Sequence, residues 1–261
     1  MKNWQVYGHD HVPILIHQYA SLESTNTEAI RVAQVGAPEW TVIVADKQTQ
    51  GKGRYERRWL SPKGLGMYFS IVLRPAIDLQ LLNLINLRSV LVVREFLQNK
   101  IYSTGNHQRS EFLVKWPNDV LANGKKICGI LLESEIVDQK IQFLIVGIGI
   151  NINHQNRDFP EVLRDTAISM RMLTGQSWEI EQLIQELLPL YQMRYRMDQE
   201  TDHQNVVSEY EEYMAFKGES IEIDLQTKKL KGRIKGIDPF GFLLLQQGNK
   251  VQRVTSGDLW I

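Results

Sequence analysis

Cysteine is almost missing from this sequence, which contains only Cys128. One thiol cannot form an internal disulfide, and the histidines do not combine with it at the spacing of a zinc site. We therefore predict a reducing, cytoplasmic location and no metal held by the protein's own side chains. A thiol near Lys126 is not by itself a nucleophile, so Cys128 is interpreted as a small core residue.

Net charge and long apolar runs are missing as well. The 30 Lys and Arg residues balance 30 Asp and Glu residues, which argues against a nucleic-acid coat or a polybasic membrane binder. Polar residues interrupt the apolar runs well before the roughly 20 residues that a membrane helix needs. The first segment also lacks the apolar core of a signal peptide. We therefore expect a soluble, unsecreted protein without a membrane partner.

Two common nucleotide-binding motifs are absent too. The stretch GKGRYERRW, which begins at Gly51, is not a phosphate loop, because Lys52 is followed by Gly53 and no Ser or Thr stands ready for magnesium. GIGINI lacks the third glycine of a dinucleotide fingerprint, and no helix evidently follows it. A nucleotide would have to be bound by a different arrangement.

What the chain does have is positive charge concentrated on flexible backbone. GKGRYERRW holds two glycines and four basic residues. Glycine permits close approach of a ligand and the cations supply charged donors, so the stretch suits a phosphate-bearing molecule. The alternative is a solvated loop whose charges only keep it off the core, and the stretch alone does not decide between the two.

The apolar pattern predicts an α+β fold, a mixed sheet covered by helices. Strand character begins at Trp40, Gly66 and Phe112, and LQLLNLINLRSVLVVREFLQNK predicts a buried helix before the third of these. KKICGILLESEIV and KIQFLIVGIGININ are predicted to pair antiparallel. Ser177 is expected to cap a later helix, which Pro189 should kink or divide.

From Lys217 the pattern changes to short alternating segments. Four short strands, with a turn from Asp238 to Gly241, predict a small β-barrel of about 45 residues. Such a barrel is near the lower size for independent stability, so it is expected to pack on the main domain. We predict two domains, residues 1–216 and residues 217–261.

Five segments, taken in order, resemble the biotin protein ligases: STN at residues 24–26, QTQGKGRYERRW, KWPNDV, KICGILLE and GIGININ. The final GIDPFGFLLL resembles the small C-terminal barrel of that family. The likeness covers nearly the whole chain, and KWPND followed by GILLE and GIGIN is highly specific. It implies a class II synthetase-like ligase core with an SH3-like C-terminal barrel.

The resemblance also implies a two-step, ATP-dependent reaction that uses Mg²⁺. Biotin and ATP give biotinyl-5′-AMP and pyrophosphate, and a lysine of a biotin carboxyl carrier domain then attacks the mixed anhydride. Two anions must meet in the first step, so cations are needed to offset their repulsion. Lys115, Arg54 and Arg57 are assigned this catalytic role. The glycine stretch is predicted to be a mobile lid that excludes water.

The other assigned residues divide by ligand. Biotin, whose ureido ring needs both donors and acceptors, is expected to contact Ser24, Thr25, Asn26, Gln48, Gly51, Lys52, Gly53, Arg54, Lys115 and Gly129. ATP is expected to contact Arg54, Arg57, Trp59, Lys115 and Asn151. Trp59 is predicted to stack on adenine. Asn151 either orients phosphate or metal, or serves as a turn residue at a strand end.

The sequence departs from the family pattern in the basic stretch. Lys52 stands where the first arginine of G-R-G-R is usual, and Tyr55 and Glu56 fill the next pair. Lysine keeps the charge but loses the fork that holds two oxygens at once. Family members that also repress transcription carry a DNA-binding helix-turn-helix ahead of the core, and the early position of Ser24 leads us to expect no DNA partner.

Three other functions remain open. Lipoate ligases share the general fold and the adenylation chemistry, and rank second. A non-catalytic biotin sensor is disfavoured by the intact Lys115, and a protein-interaction module built around the C-terminal barrel is the weakest alternative. The oligomeric state is also open, with a homodimer as one possibility.

Overall fold

A computed structural model describes residues 1–8, 11–105, 110–200, 204–225 and 228–260 of the chain. Its strands and helices are, in chain order, β1 (Lys2–Tyr7), β2 (Pro13–Tyr19), α1 (Thr25–Gln34), β3 (Thr41–Ala45), β4 (Gly66–Leu73), α2 (Leu82–Tyr102), β5 (Phe112–Lys115), β6 (Asp119–Ala122), β7 (Lys125–Val137), β8 (Lys140–Asn151), α3 (Met170–Thr174), α4 (Ile180–Glu200), α5 (Gln204–Glu212), β9 (Ser220–Asp224), β10 (Lys229–Ile237), β11 (Leu243–Gln247), β12 (Lys250–Val254) and β13 (Asp258–Trp260).

The main sheet has eight strands in the order β1-β2-β3-β4-β8-β7-β6-β5. The β2–β3 pair is parallel, whereas the other neighbouring strands pair antiparallel. Beyond β5 the backbone continues the hydrogen bonding, since Val114 N–H donates to Tyr213 O (2.9 Å) and Val114 O accepts from Ala215 N–H (2.9 Å). The predicted mixed sheet with helices is confirmed.

The two faces of this sheet carry different cores. On one face, α2 packs on β5, β6 and β7, and α4 packs on β1 and β4. Large apolar side chains such as Phe69, Ile71 and Ile148 belong to this core. On the other face, α1 covers a smaller apolar cluster that includes Val72 and Ile145. Side chains alternate along a strand, so Ser70, two positions from Val72, and Gly147 and Gly149, two and four positions from Ile145, lie on the α1 face. There the chain places serine and glycine, which leave room.

The C-terminal strands form a second sheet in the order β12-β11-β10-β9-β13. This antiparallel module fits the predicted SH3-like domain, with five strands where four were expected. Within the described residues the pairing ends at β12 and β13, so closure of a barrel is not part of it. The module docks on the core as predicted: Trp116 Nε1 donates to Gly241 O (3.1 Å), and Ile237 N–H donates to Glu211 Oε1 (2.8 Å).

Other predictions fare differently. The antiparallel pairing of β7 with β8 is confirmed. KWPNDV follows the strand predicted from Phe112, and its PND segment, for which a turn was the alternative interpretation, turns between β5 and β6 with a cis Trp116–Pro117 bond. The N-cap assigned to Ser177 is wrong, because α4 begins at Ile180 and Leu183 N–H donates to Glu179 O. Pro189 lies inside α4 without dividing it. Strands β1 and β2 were not predicted.

Candidate active site

The first turn of α1 carries the polar segment STN at the edge of the α1 face. Ser24, Thr25 and Asn26 are 3–4% exposed, and Ser24 is the N-cap of the helix. Thr25 donates its N–H (2.8 Å) and its hydroxyl (3.1 Å) to Gln48 Oε1. Gln48 in turn donates from Nε2 to Ser61 Oγ (2.8 Å). Thr25 and Gln48, both assigned to biotin, therefore adjoin and pair with each other.

A second set of contacts ties this turn to the sheet. Ser70 Oγ, fully buried in β4, donates to Asn26 Oδ1 (2.6 Å) and lies 2.8 Å from Thr25 Oγ1. Asn26 Nδ2 donates to Glu133 Oε2 (2.7 Å). Lys52 Nζ lies 4.0 Å from the other oxygen of Glu133. Both the oxygen and the nitrogen of the Asn26 side-chain amide thus have a partner, and these bonds hold the turn against the sheet.

Glycines on β7 and β8 form a shelf beside this network, which we call the glycine shelf (Gly129, Gly147 and Gly149). Gly129 pairs directly with Gly149 across the two strands, so these three positions share one face. A Cβ on Gly149 would stand 2.5 Å from Trp59 Nε1, and a Cβ on Gly147 would collide with Asn26 Oδ1. The missing side chains let Trp59 and Asn26 lie directly on the sheet.

Trp59 is held over the shelf by its own neighbours. Lys126 Nζ lies 5.4 Å from the centroid of the Trp59 ring, within the range of a cation–π contact, and forms an ion pair with Asp119 Oδ1 at 2.7 Å. The indole Nε1 is buried, and it has no hydrogen-bond partner among the described residues. A buried donor without a partner is costly, and such groups occur at functional sites.

The basic stretch folds back on itself beside the shelf. Trp59 N–H donates to Gly51 O (2.9 Å), and Gly53 N–H donates to Arg57 O (2.7 Å). A Cβ on Gly51 would collide with the Trp59 carbonyl oxygen and stand 2.8 Å from Ser61 Oγ. Only glycine fits at position 51, because the backbone near Trp59 and Ser61 approaches it closely. The predicted mobility of this lid stays a prediction.

The three assigned cations lie at different places around the site. Arg54 donates from Nη1 to Gly257 O (3.1 Å) in the C-terminal module and from Nη2 to Tyr55 Oη (2.9 Å). Arg57 is an exposed residue that follows the tight turn at residues 54–56. Lys115 is half-buried at the end of β5, directly opposite Asp119 of β6. Asp119 is also the register partner of Gly129, which links Lys115 to the shelf.

Asn151 and Cys128 are placed inside the fold. Asn151 lies at the end of β8, and its Nδ2 donates to Ile168 O (3.1 Å) and to Lys126 O (3.4 Å). Cys128 is fully buried, and burial raises the pKa of its thiol. A core role for Cys128 agrees with that environment, because the thiolate is disfavoured there.

Two kinds of feature are missing from the part of the chain that the structure describes. It contains no group of three or more His, Cys, Asp or Glu side chains that could hold a metal ion. It also contains no helix with the length and apolar character needed to span a bilayer.

Comparison with known proteins accounts for this arrangement. Residues 19–151 match the Biotin/lipoate A/B protein ligase family, and residues 217–259 match the biotin protein ligase C terminal domain. The chain belongs to the biotin protein ligase family. The first match includes STN, the basic stretch, KWPNDV and the glycine shelf, and the second includes GIDPFGFLLL.

Individual relatives and solved structures support the same family. The bifunctional ligase/repressor BirA of Bacillus subtilis is 34% identical over 238 residues, which cover 91% of this chain and 71% of the relative. The biotin–[acetyl-CoA-carboxylase] ligase of Paracoccus denitrificans is 29% identical and is covered to 92%. Among solved structures, the Aquifex aeolicus biotin protein ligase in complex with biotin and ATP aligns with a TM-score of 0.74 and 29% identity, over 94% of this chain and 97% of that one.

Several residues of the candidate site were not predicted. Ser70 and Ser61 complete the polar network, Glu133 anchors Asn26, and Lys126 holds Trp59. A fully buried serine within the apolar strand GMYFSIVL was the one local signal for Ser70. Glu133 ends the GILLE motif, so its place in the motif was visible but its partner was not.

Proposed function

We propose that this chain is a biotin protein ligase that joins biotin to ATP and then transfers biotin to a lysine of a biotin carboxyl carrier domain of a carboxylase. The observation that carries the proposal is the polar network of Thr25, Asn26, Gln48 and Ser70 beside the glycine shelf, with the basic stretch alongside. This set offers both donors and acceptors next to a flat surface and a source of cations. Family membership supports the same activity.

In the proposed first step a biotin carboxylate oxygen attacks the α-phosphorus of ATP, the bond to the β-phosphate oxygen breaks, and pyrophosphate leaves. Negative charge accumulates between two anions, so fixed cations lower the barrier. Lys115 at the end of β5, with Arg54 and Arg57 of the basic stretch, supplies them in this proposal. Lys115 is carried by a strand, which fixes its backbone better than a loop does.

In the second step the neutral amine of the carrier lysine attacks the acyl carbon, the bond from that carbon to the phosphate oxygen breaks, AMP leaves, and the amide forms with release of one proton. The adenylate must be kept from water until then. Trp59, which lies over Gly149 beside Lys126, is assigned to the adenine, and the STN turn with Gln48 is assigned to the ureido ring.

Magnesium enters this proposal with the nucleotide. The described residues offer no cluster of three metal-binding side chains, and Mg²⁺ is usually held by substrate phosphates with one or two carboxylates. We therefore assign the ATP phosphates as the ligands of Mg²⁺, and we assign no protein side chain as a ligand.

The alternative of a lipoate ligase is disfavoured by the C-terminal module, because residues 217–259 match a domain described for biotin protein ligases. The neutral ureido ring also matches the paired amide and hydroxyl groups of the site, whereas the lipoyl dithiolane ring has no comparable donors and acceptors.

The test is to incubate the protein with biotin, ATP, Mg²⁺ and a carrier domain and to measure the mass of the carrier. A carrier in which the acceptor lysine is arginine serves as the control. We expect the mass of one biotinyl group on the lysine form alone. Lipoyl transfer from lipoate at a comparable rate would assign the chain to the rival activity, and biotin binding without transfer would make it a sensor.

A further inference from the structure

The side chain of Arg54 is held between two parts of the molecule. Its Nη1 donates to the carbonyl oxygen of Gly257 at 3.1 Å, although the two residues are 203 positions apart in the sequence. Its Nη2 donates to the hydroxyl of Tyr55 at 2.9 Å, and the guanidinium carbon lies 4.7 Å from the centroid of the Tyr55 ring. Tyr55 therefore contacts Arg54 both through its ring and through its hydroxyl.

The backbone under this contact is strained. Tyr55 has φ 53° and Glu56 has φ 59°, which places two consecutive non-glycine residues in the left-handed region. Each such residue is disfavoured, and the conformation persists only when the surroundings hold it. The contacts of Arg54 with Tyr55, together with the backbone bonds from Gly53 N–H to Arg57 O and from Arg57 N–H to Arg54 O, help to hold this conformation.

The carbonyl on the other side is equally constrained. Gly257 lies between β12 and β13 at φ +145°, and a Cβ there would stand 2.6 Å from Ile223 Cγ2 and 2.9 Å from Leu225 Cδ2. Only glycine fits, and packing against β9 fixes the direction of the carbonyl. The C-terminal module thus presents a rigid acceptor to a residue of the basic stretch.

We propose that Tyr55 is a positioning residue for Arg54, and that the C-terminal module acts on adenylate formation through the Gly257 carbonyl. The proposal rests on the proposed function of Arg54 in the first step. A long cationic side chain that is held in one rotamer before the substrate arrives loses less conformational entropy when it meets the phosphate. Loosening either restraint should slow the first step without removing the cation itself.

The experiment measures biotin-dependent exchange between ATP and pyrophosphate in four single variants. Tyr55→Phe keeps the ring and removes the acceptor hydroxyl, and Gly257→Ala displaces the carbonyl. Tyr102→Phe is the control for the first, because it removes a hydroxyl that bonds Ser110 O outside the site. Gly248→Ala is the control for the second, because it sits at φ +59° in the same module with no atom within 4 Å of the added Cβ.

We expect Tyr55→Phe to lower kcat/KM for exchange about tenfold, as loss of a hydrogen bond to a charged group would, and Gly257→Ala to lower it at least as much. Both controls should stay within about twofold of wild type, a spread that corresponds to less than one ordinary hydrogen bond. Thermal melting of every variant identifies any that fail to fold. If Gly257→Ala fails to fold, Tyr55→Phe alone decides the proposal.

The deciding readout is repetition of both changes in an Arg54→Ala background. If Tyr55 and Gly257 act through Arg54, their effects disappear there. Effects that persist in that background, or a Tyr55→Phe variant with unchanged exchange, overturn the positioning role while leaving the ligase activity intact. An Arg54→Ala variant with wild-type exchange would instead remove Arg54 from the mechanism, and a wild-type chain without exchange would overturn the proposed function itself.

Discussion

The indole nitrogen of Trp59 lies against the backbone of Gly149, only 2.5 Å from the point where a Cβ would stand. One methyl group is therefore enough to push Trp59 off the sheet. Because Trp59 is assigned to the adenine, adding this methyl group at Gly149 tests that assignment without substituting Trp59 itself.

Gly149→Ala should weaken ATP binding more than biotin binding. Stacking of a base on an aromatic side chain contributes about 1–3 kcal/mol, so loss of the aligned ring predicts roughly a 5- to 150-fold loss of affinity. The matched variant is Gly147→Ala, whose Cβ collides with Asn26 Oδ1 and should weaken biotin instead. Calorimetric titration with each ligand separates the two. Equal losses of both ligands in both variants would mean that the glycines only maintain the fold.

Ser70→Ala tests the network beneath the STN turn. The change removes the donor to Asn26 Oδ1, and leaving a buried polar group without its partner costs about 1–3 kcal/mol. We expect biotin affinity to fall by that amount and ATP affinity to change little. Ser89→Ala is the control, because Ser89 is also fully buried but bonds Ile85 O and Tyr191 in the opposite core. Similar biotin losses in both variants would count against a binding role for Ser70.

The sheet and most of its strands could be predicted because their apolar runs are long and bounded by turns. Strand β1 was missed for a physical reason. β1 is the edge strand of the sheet and its residues are at most half-buried, so no continuous apolar run marks it. The α4 cap was misplaced because a serine resembles a cap wherever a helix follows within a few residues.

The site divides in the same way. Residues within motifs, such as Thr25 and Lys115, could be assigned to the candidate site from the sequence, because each motif keeps its chemistry in one short segment. Their partners from other segments could not be predicted, because nothing near Arg54 in the sequence indicates a contact with Gly257. Lys126 looks like one of two ordinary strand lysines until the fold brings it to Trp59.

Lys115→Ala should retain the fold and lose most adenylate formation. Removing one charge-assisted contact in the transition state costs on the order of 2–4 kcal/mol, or roughly 30- to 1,000-fold in rate. Lys140→Ala is the control, because Lys140 is exposed at the start of β8, away from the shelf. Pyrophosphate exchange in the Lys115 variant within threefold of wild type would exclude this lysine from the chemistry.

The stability of the fold should depend on pH through His154, which is 1% exposed and stacks on Phe159 with ring centroids 4.8 Å apart. Burial lowers the pKa of His154 to about 4, whereas an unfolded histidine has a pKa of about 6.5. The unfolded chain therefore binds the proton first as the pH falls. The part of the unfolding free energy that depends on neutral His154 is fully present above about pH 6.5. It is lost progressively toward pH 4, and the total loss is about 3 kcal/mol.

His154→Phe keeps an aromatic ring against Phe159 and removes the titrating group. Urea unfolding at pH 7.5 and at pH 4.5 should show a smaller loss of unfolding free energy in the variant than in wild type, because the other titrating groups are common to both. The absolute stability at pH 7.5 is set by packing and does not enter the comparison. Equal losses in the two proteins between these pH values would show that His154 already binds its proton in the folded chain near its ordinary pKa.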